Sequence, residues 1–162
     1  GIPPFRGYDG TPGTLLVALT AHEVSHQWWF SWVGDDQVHE PWLDESLAMY
    51  SEYLYYERYY PKLLNWWWAF RVDRGMQLSG PINRTIYDFP NTVDYANVIY
   101  GRSAHFVHEL RQMMGTDSFF AFLRDYGQRF AYRLATGRDF WAVLQEHTQA
   151  NVTPLREKYF QP

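Results

Sequence analysis

Two histidines and a glutamate near the start of the chain have the spacing of a metal site. His22, Glu23 and His26 form the pattern His-Glu-x-x-His. Because residues four apart lie on one face of a helix, His22 and His26 can direct two imidazoles at one metal ion. Glu23 lies roughly 100° round the helix from His22, within reach of a water molecule on that ion. The pattern predicts a zinc site with a carboxylate base beside it, and the alternative is a surface helix with two solvated histidines.

A third ligand for zinc is available further along the chain. A catalytic zinc ion usually has three protein ligands and one water. Glu45 follows His26 after eighteen intervening residues, inside the segment Trp-Leu-Asp-Glu-Ser-Leu-Ala. The joint pattern is far more specific than the two histidines alone, and it strongly disfavours the alternative of solvated histidines.

These two motifs together resemble those of the M1 aminopeptidases, a gluzincin family of zinc peptidases. That family has His-Glu-x-x-His-Gln-Trp, then Trp-Leu-Asn-Glu-Gly-Phe-Ala, in which the glutamate lies at the spacing seen here. The matching residues beyond the two histidines are Gln27, Trp28, Trp42, Leu43, Glu45 and Ala48. Asp44 and Ser46 stand where the family usually has Asn and Gly. The resemblance implies that one zinc ion per chain is bound by His22, His26 and Glu45, and that Glu23 is the general base acting on the zinc-bound water.

A later segment extends the resemblance to a further catalytic residue. The sequence Tyr-Gly-Arg-Ser that begins at Tyr100 resembles the family's Tyr-x-Lys-Gly, with Arg102 and Ser103 as departures. In that family the tyrosine hydrogen-bonds the oxyanion of the tetrahedral intermediate, so the resemblance implies this role for Tyr100. A phenol O–H aimed at developing negative charge stabilises a transition state more than a substrate. The alternatives are a structural, half-buried Tyr100 and the neighbouring Tyr95 in its place.

A second histidine pair, His105 and His108, lies beside Glu109 on an expected helix. The order His-x-x-His-Glu differs from the inverted zinc motif His-x-x-Glu-His. A second metal site at this pair is therefore the lesser alternative, and a structural role for both histidines is favoured.

Hydrophobic periodicity predicts that helices hold these residues. The expected helices cover residues 13–30, 43–59, 62–78, 98–114, 116–130 and 138–149, with a short one after Thr153-Pro154. No segment has a clear strand pattern, and 80–96 is expected to be irregular. In the third helix, Trp66-Trp67-Trp68 is expected to pack on more than one side. The fold class is therefore all-α, with six or seven helices, and residues 1–162 form one domain.

The resemblance covers nearly the whole chain and implies the helical lobe of a thermolysin-like catalytic domain. The family's Gly-x-Met-Glu-Asn motif, whose glutamate captures the substrate's α-amino group, does not occur here. The resemblance therefore implies that a β-rich half lies upstream of this chain. The implied function is hydrolysis of peptide substrates, favouring the aminopeptidase direction. The alternatives are a non-catalytic scaffold or interaction domain and a zinc endopeptidase.

The composition of the chain excludes some kinds of partner and metal site. The formal net charge is −4 and no basic run occurs, so nucleic-acid binding is not indicated. The chain contains no cysteine, which excludes thiolate metal sites and leaves the redox compartment open. No apolar run approaches the roughly 20 residues of a membrane span.

Overall fold

Helices dominate the computed structural model, which describes residues 11–74 and 78–161. The helices in these ranges are α1 Leu15–Ser25, α2 Trp42–Tyr59, α3 Leu64–Trp66, α4 Thr92–Tyr95, α5 Ser103–Met114, α6 Thr116–Arg129, α7 Gly137–Glu146 and α8 Thr153–Tyr159. The π-helical segment Trp67–Asp73 continues α3, and a second, Ala96–Arg102, joins α4 to α5. Counted as continuous runs over the described residues, there are seven longer helical units, so the predicted mainly helical fold is confirmed.

Two short strands add a feature that the sequence did not indicate. Strand β1, Val33–Gly34, pairs in parallel with β2, Arg133–Leu134. Two-residue strands show no period-two pattern, which is why alternation of residue types could not reveal them. A Cβ atom built on Gly34 would lie 3.0 Å from Leu134 Cδ2, so glycine permits this close approach. The pair ties the segment after α1 to the segment after α6.

The predicted helix bounds hold best at α2 and are wrong at α1. The first helix ends at Ser25 rather than near residue 30, because the backbone turns to hydrogen-bond Phe30 N to Val33 O at 2.8 Å. The fourth helical run begins at Thr92 rather than near 98, since Asn91 caps it by accepting from Val93 N and Asp94 N. The expected irregular stretch is therefore shorter than predicted.

The third helical run ends before the predicted residue 78. Its helical structure stops at Asp73, and Arg74 adopts a left-handed conformation with φ 46°. The predicted continuation through 75–77 lies outside the described residues. At the other end of the chain, α7 begins at Gly137 with a capping box from Thr136 and Asp139, close to the predicted start, and ends at Glu146.

The core is centred on α2, most of whose residues are buried. α1 packs against one side of α2 and α5 against another. The three consecutive tryptophans show the expected aromatic surface on several sides: Trp67 is fully buried, Trp66 stacks on Phe70, and Trp68 stacks on His105. Among the described helices, none has the length and apolar character needed to span a membrane.

Candidate metal centre

Helix α1 presents His22 from the side that faces α2, and His26 caps the end of the same helix. Ala18, His22 and Ser25 are buried and follow the spacing of one helical face. The Ser25 hydroxyl donates to His22 O at 2.7 Å and lies 3.5 Å from Ala48 O on α2. These small residues allow the two helices to approach closely, which brings His22 next to α2.

Helix α2 supplies Glu45 from its first turn. Trp42 and Leu43, 1% and 2% exposed, anchor this end of the helix in the core. The neighbouring Asp44 accepts from Glu45 N at 2.8 Å through Oδ1 and from Gln37 Nε2 at 2.7 Å through Oδ2. Both the backbone and the flanking side chains therefore fix the direction of Glu45.

The donor atoms of His22, His26 and Glu45 form a compact triangle. The distances are 3.0 Å between His22 Nε2 and Glu45 Oε2, 3.2 Å between the two Nε2 atoms, and 3.5 Å between His26 Nε2 and Glu45 Oε2. Ligands about 2.0–2.1 Å from a tetrahedral zinc ion lie about 3.3 Å from one another. Within the described residues this is the one group of His, Cys, Asp or Glu side chains able to hold a metal ion. The residues present fit zinc in donor type and in spacing.

The charges of the triangle are mutually stabilising without a metal. Burial acts to raise the pKa of Glu45, but hydrogen bonds with His22, His26 and Tyr100 outweigh it and lower that pKa to about 2. The hydrogen bond with Glu45 raises the pKa of His26 to about 9, against the opposing effect of burial. Since zinc binds neutral imidazole, metal binding must displace a proton from this site.

The two histidines are oriented through their other ring nitrogens. His26 Nδ1 lies 2.9 Å from Trp29 O, which accepts its proton. His22 Nδ1 faces Glu52 Oε2 at 3.7 Å and has no hydrogen-bond partner in the described structure. Sequence reasoning missed Glu52, although its position seven residues after Glu45 places the two on nearly the same helical face.

Glu23 lies on α1 next to His22 and is exposed to solvent. Its carboxylate makes no hydrogen bond or ion pair with another described residue. Its carboxylate is therefore free to interact with solvent.

Tyr100 contacts the metal centre through Glu45 and comes from neither α1 nor α2. Its phenol O–H donates to Glu45 Oε1 at 2.7 Å, and its ring lies 5.7 Å from the ring of His22. Burial raises the pKa of Tyr100, and the charge of Glu45 raises it further, so the phenol stays protonated as a donor. Tyr95, the alternative, packs its ring 5.8 Å from that of Tyr100, whereas the hydrogen bond to Glu45 is made by Tyr100.

The position of Tyr100 depends on the glycine that follows it. A Cβ atom built on Gly101 would lie 2.9 Å from Leu78 Cδ2 and 3.2 Å from Val72 O. Only glycine allows the π-helical segment to lie this close to its neighbours. Of the two departures from the family pattern, Arg102 Nη1 donates to Leu78 O at 3.3 Å, and Ser103 Oγ donates to Ile99 O.

His105 and His108 do not converge on a metal site in the described structure. His105 Nε2 lies 2.8 Å from Asp73 Oδ1, and its ring stacks on Trp68. His108 Nδ1 lies 3.1 Å from the Tyr50 hydroxyl. Both histidines therefore connect helices, in agreement with the structural interpretation.

A buried carboxyl that sequence reasoning did not single out lies close to this centre. Asp35 is 7% exposed, and neither of its carboxyl oxygens has a hydrogen-bond partner in the described structure. Burial, together with the negative charges of Asp44 and Glu45, raises its pKa to about 8. No local sequence signal marks it, because its burial follows from how β1 is placed.

Residues 12–159 match the Peptidase family M1 domain, and the chain therefore belongs to peptidase family M1. It is similar to aminopeptidase M1-B of Oryza sativa subsp. japonica, with 30% identity over 86% of this chain and 17% of that protein. The puromycin-sensitive aminopeptidase of Caenorhabditis elegans is 31% identical over 96% of this chain, again across 17% of its own length.

Solved structures show the same fold. A mutant M1 zinc metallopeptidase from Deinococcus radiodurans aligns with a TM-score of 0.71 and 23% identity, over 90% of this chain and 34% of that chain. A related structure of that enzyme holds a Tyr-Ser-Ala substrate and aligns with a TM-score of 0.70. The chain thus spans about a third of the solved chain and 17% of either curated relative described above. The predicted family resemblance is confirmed.

Proposed function

We propose that residues 1–162 are the helical part of a zinc-dependent peptidase catalytic domain that removes amino-terminal residues from peptides. The observation that carries the proposal is the triangle of donor atoms from His22, His26 and Glu45 at 3.0–3.5 Å, which suits one zinc ion. When bound there, zinc would act as a Lewis acid and lower the pKa of a water molecule to about 7.

Glu23 and Tyr100 provide the remaining chemistry. The exposed Glu23 carboxylate accepts a proton from the attacking water and then returns it to the departing amine. The Tyr100 hydroxyl turns from Glu45 Oε1 towards the oxygen of the scissile carbonyl and donates to it as negative charge develops. The aminopeptidase direction is supported by the relatives, several of which are aminopeptidases.

The outer surface of α1 supports a further part of the proposal. Leu16 and Val24 on this helix, and Trp28 in the turn just past its end, are 43%, 53% and 57% exposed. Contiguous apolar surface of this kind usually marks an interaction surface. We expect it to be covered by a β-rich half in the complete protein, and that half to supply a second wall of the substrate cleft and the anchor for the substrate amine.

The test is made on the complete protein with zinc, comparing wild type, Glu23→Gln and Glu57→Gln. The Glu23 variant is expected to keep its zinc and to lose about 10²–10⁴-fold in kcat, the usual contribution of a general base. Glu57, which pairs with Arg111 at 2.9 Å on the far part of α2, is the matched control and should leave the rate unchanged. Activity of the Glu23 variant within about threefold of wild type would assign the base role elsewhere.

Two substrates that differ only in their amino group distinguish an aminopeptidase from an endopeptidase and from a non-catalytic scaffold. An amino-acid arylamide with a free amine should be cleaved, and the same arylamide with an acetylated amine should not. Cleavage of amine-blocked peptides would favour the endopeptidase. Stoichiometric zinc without hydrolysis of either substrate by the complete protein would favour the non-catalytic scaffold.

A further inference from the structure

Glu52 is a fully buried carboxylate that lies next to His22, on the side away from the other two donor residues of the metal centre. It lies on α2 with 0% exposure and accepts from Trp67 Nε1 at 2.6 Å and from Arg71 Nε at 3.0 Å. Arg71 is itself 7% exposed, so the ion pair is closed to water. A buried carboxylate is costly unless it is paired and hydrogen-bonded, and these two donors provide that compensation.

The same carboxylate faces a nitrogen that lacks a partner. His22 Nδ1 is buried without a hydrogen bond in the described structure, and Glu52 Oε2 lies 3.7 Å from it. A neutral imidazole that binds a metal through Nε2 carries its proton on Nδ1, where it needs an acceptor. A movement of roughly half an ångström would bring the two atoms within ordinary hydrogen-bond distance.

We infer that Glu52 is a positioning residue for the metal centre: it accepts the Nδ1 proton of His22 and fixes the tautomer and ring direction that zinc requires. Trp67 and Arg71 hold Glu52 in this orientation, so the π-helical segment Trp67–Asp73 acts on the centre through it. The inference rests on the proposed zinc site.

The two histidines then differ in how they are held. His26 donates to a neutral backbone oxygen, Trp29 O, at 2.9 Å. His22 donates to an ionised carboxylate, and charge-assisted hydrogen bonds are about twice as strong as neutral ones. The positive charge of Arg71 balances Glu52, so His22 gains a strong acceptor while the buried ion pair remains neutral overall.

The first experiment measures the zinc affinity of the chain by competition with a chromogenic chelator. We expect Glu52→Gln to weaken zinc binding about 10–100-fold, the usual effect of losing an outer-shell partner. Glu57→Gln is the matched control on the same helix, and its affinity should equal that of wild type. Unfolding of the metal-free forms is measured alongside, since a purely structural role would lower stability and leave the affinity of the folded protein unchanged.

The second experiment needs no substitution and therefore does not depend on the variant folding. In ¹H–¹⁵N spectra of the zinc-loaded wild type, the His22 Nδ1 proton should be downfield and protected from exchange with water. A rapidly exchanging Nδ1 proton, or zinc bound through Nδ1, would overturn the inference. Zinc uptake by wild type with equal affinity in Glu52→Gln would overturn it as well, while leaving the proposed function intact. A wild type that takes up no zinc would overturn both.

Discussion

The two sides of α1 are built in opposite ways. The inner side, with Ala18, His22 and Ser25, is at most 4% exposed and packs on α2. The outer side leaves Val24 more than half exposed, as is Trp28 in the turn that follows, and it borders an open cavity of about 670 Å³. The inner side positions chemistry through contacts within this chain. The outer side carries the apolar surface that we propose is covered in the complete protein, and Glu23 is exposed on the same helix.

The largest effect should come from removing a ligand on the inner side. His22→Ala leaves two protein ligands, so the zinc content of the purified chain should fall from one per chain to near zero. The loss should exceed the 10–100-fold typical of outer-shell changes. Thr20→Ala, on the exposed part of the same helix, is the control for metal analysis. Equal zinc in His22→Ala and wild type would remove the functional distinction between the two sides.

A substitution at Tyr100 tests whether the π-helical segment Ala96–Arg102 contributes to the same site as the inner side of α1. In the complete protein, Tyr100→Phe should lower kcat, since the loss of one oxyanion donor costs about 2.7–4 kcal/mol, with a much smaller change in KM. Tyr95→Phe, which lacks the contact to Glu45, is the comparison variant and should retain most of kcat. A change confined to KM would reassign Tyr100 to substrate binding.

The pH dependence of stability tests what the burial of the Asp35 carboxyl costs the folded state. Its pKa of about 8 in the folded protein exceeds the ordinary value of 3.8, so between these values the folded state holds a proton that the unfolded state has lost. Stability of the wild type should therefore fall as pH rises from about 4 to about 8.

Asp35→Asn removes this pH dependence. In metal-free protein at pH 8 it should raise the free energy of unfolding by about 1–3 kcal/mol, because a neutral amide replaces a carboxyl whose charged form burial disfavours, and by little at pH 4. Urea unfolding at both pH values measures the difference. Asp36→Asn, an exposed carboxyl that binds His39, is the control and should slightly lower stability. A constant gap between Asp35→Asn and wild type at both pH values would contradict the expected titration.

The smallest effects compare packing on the two sides directly. Ala18→Leu places extra volume in a fully buried position and should lower the free energy of unfolding by about 1–3 kcal/mol. Val24→Leu, 53% exposed on the outer side, should change it by less than about 0.5 kcal/mol. Equal effects in chemical unfolding would show that the outer side is already covered in this chain.

Much of the fold and of the candidate site could be predicted from the sequence. Spacing of four residues on a helix places His22 and His26 together, and the motif around Glu45 identifies a third donor. Tyr100 was reached through the resemblance, and the structure brings its hydroxyl to 2.7 Å from Glu45. The bounds of α2 and the cap of α7 followed from turn and capping residues, which act over a few positions. The roles of these residues in binding and catalysis remain predictions.

Other features were decided only by the tertiary structure, because they depend on contacts between distant parts of the chain. The pairing of β1 with β2 joins segments that are about 100 residues apart, and neither strand is long enough to show a pattern. The approach of Glu52 to His22 Nδ1 depends on the packing of α1 on α2 and on the donors from the π-helical segment. Asp35 became a buried acid through the placement of β1. The local sequence determines helices and ligand spacing, whereas the environment of each side chain depends on which helices pack around it.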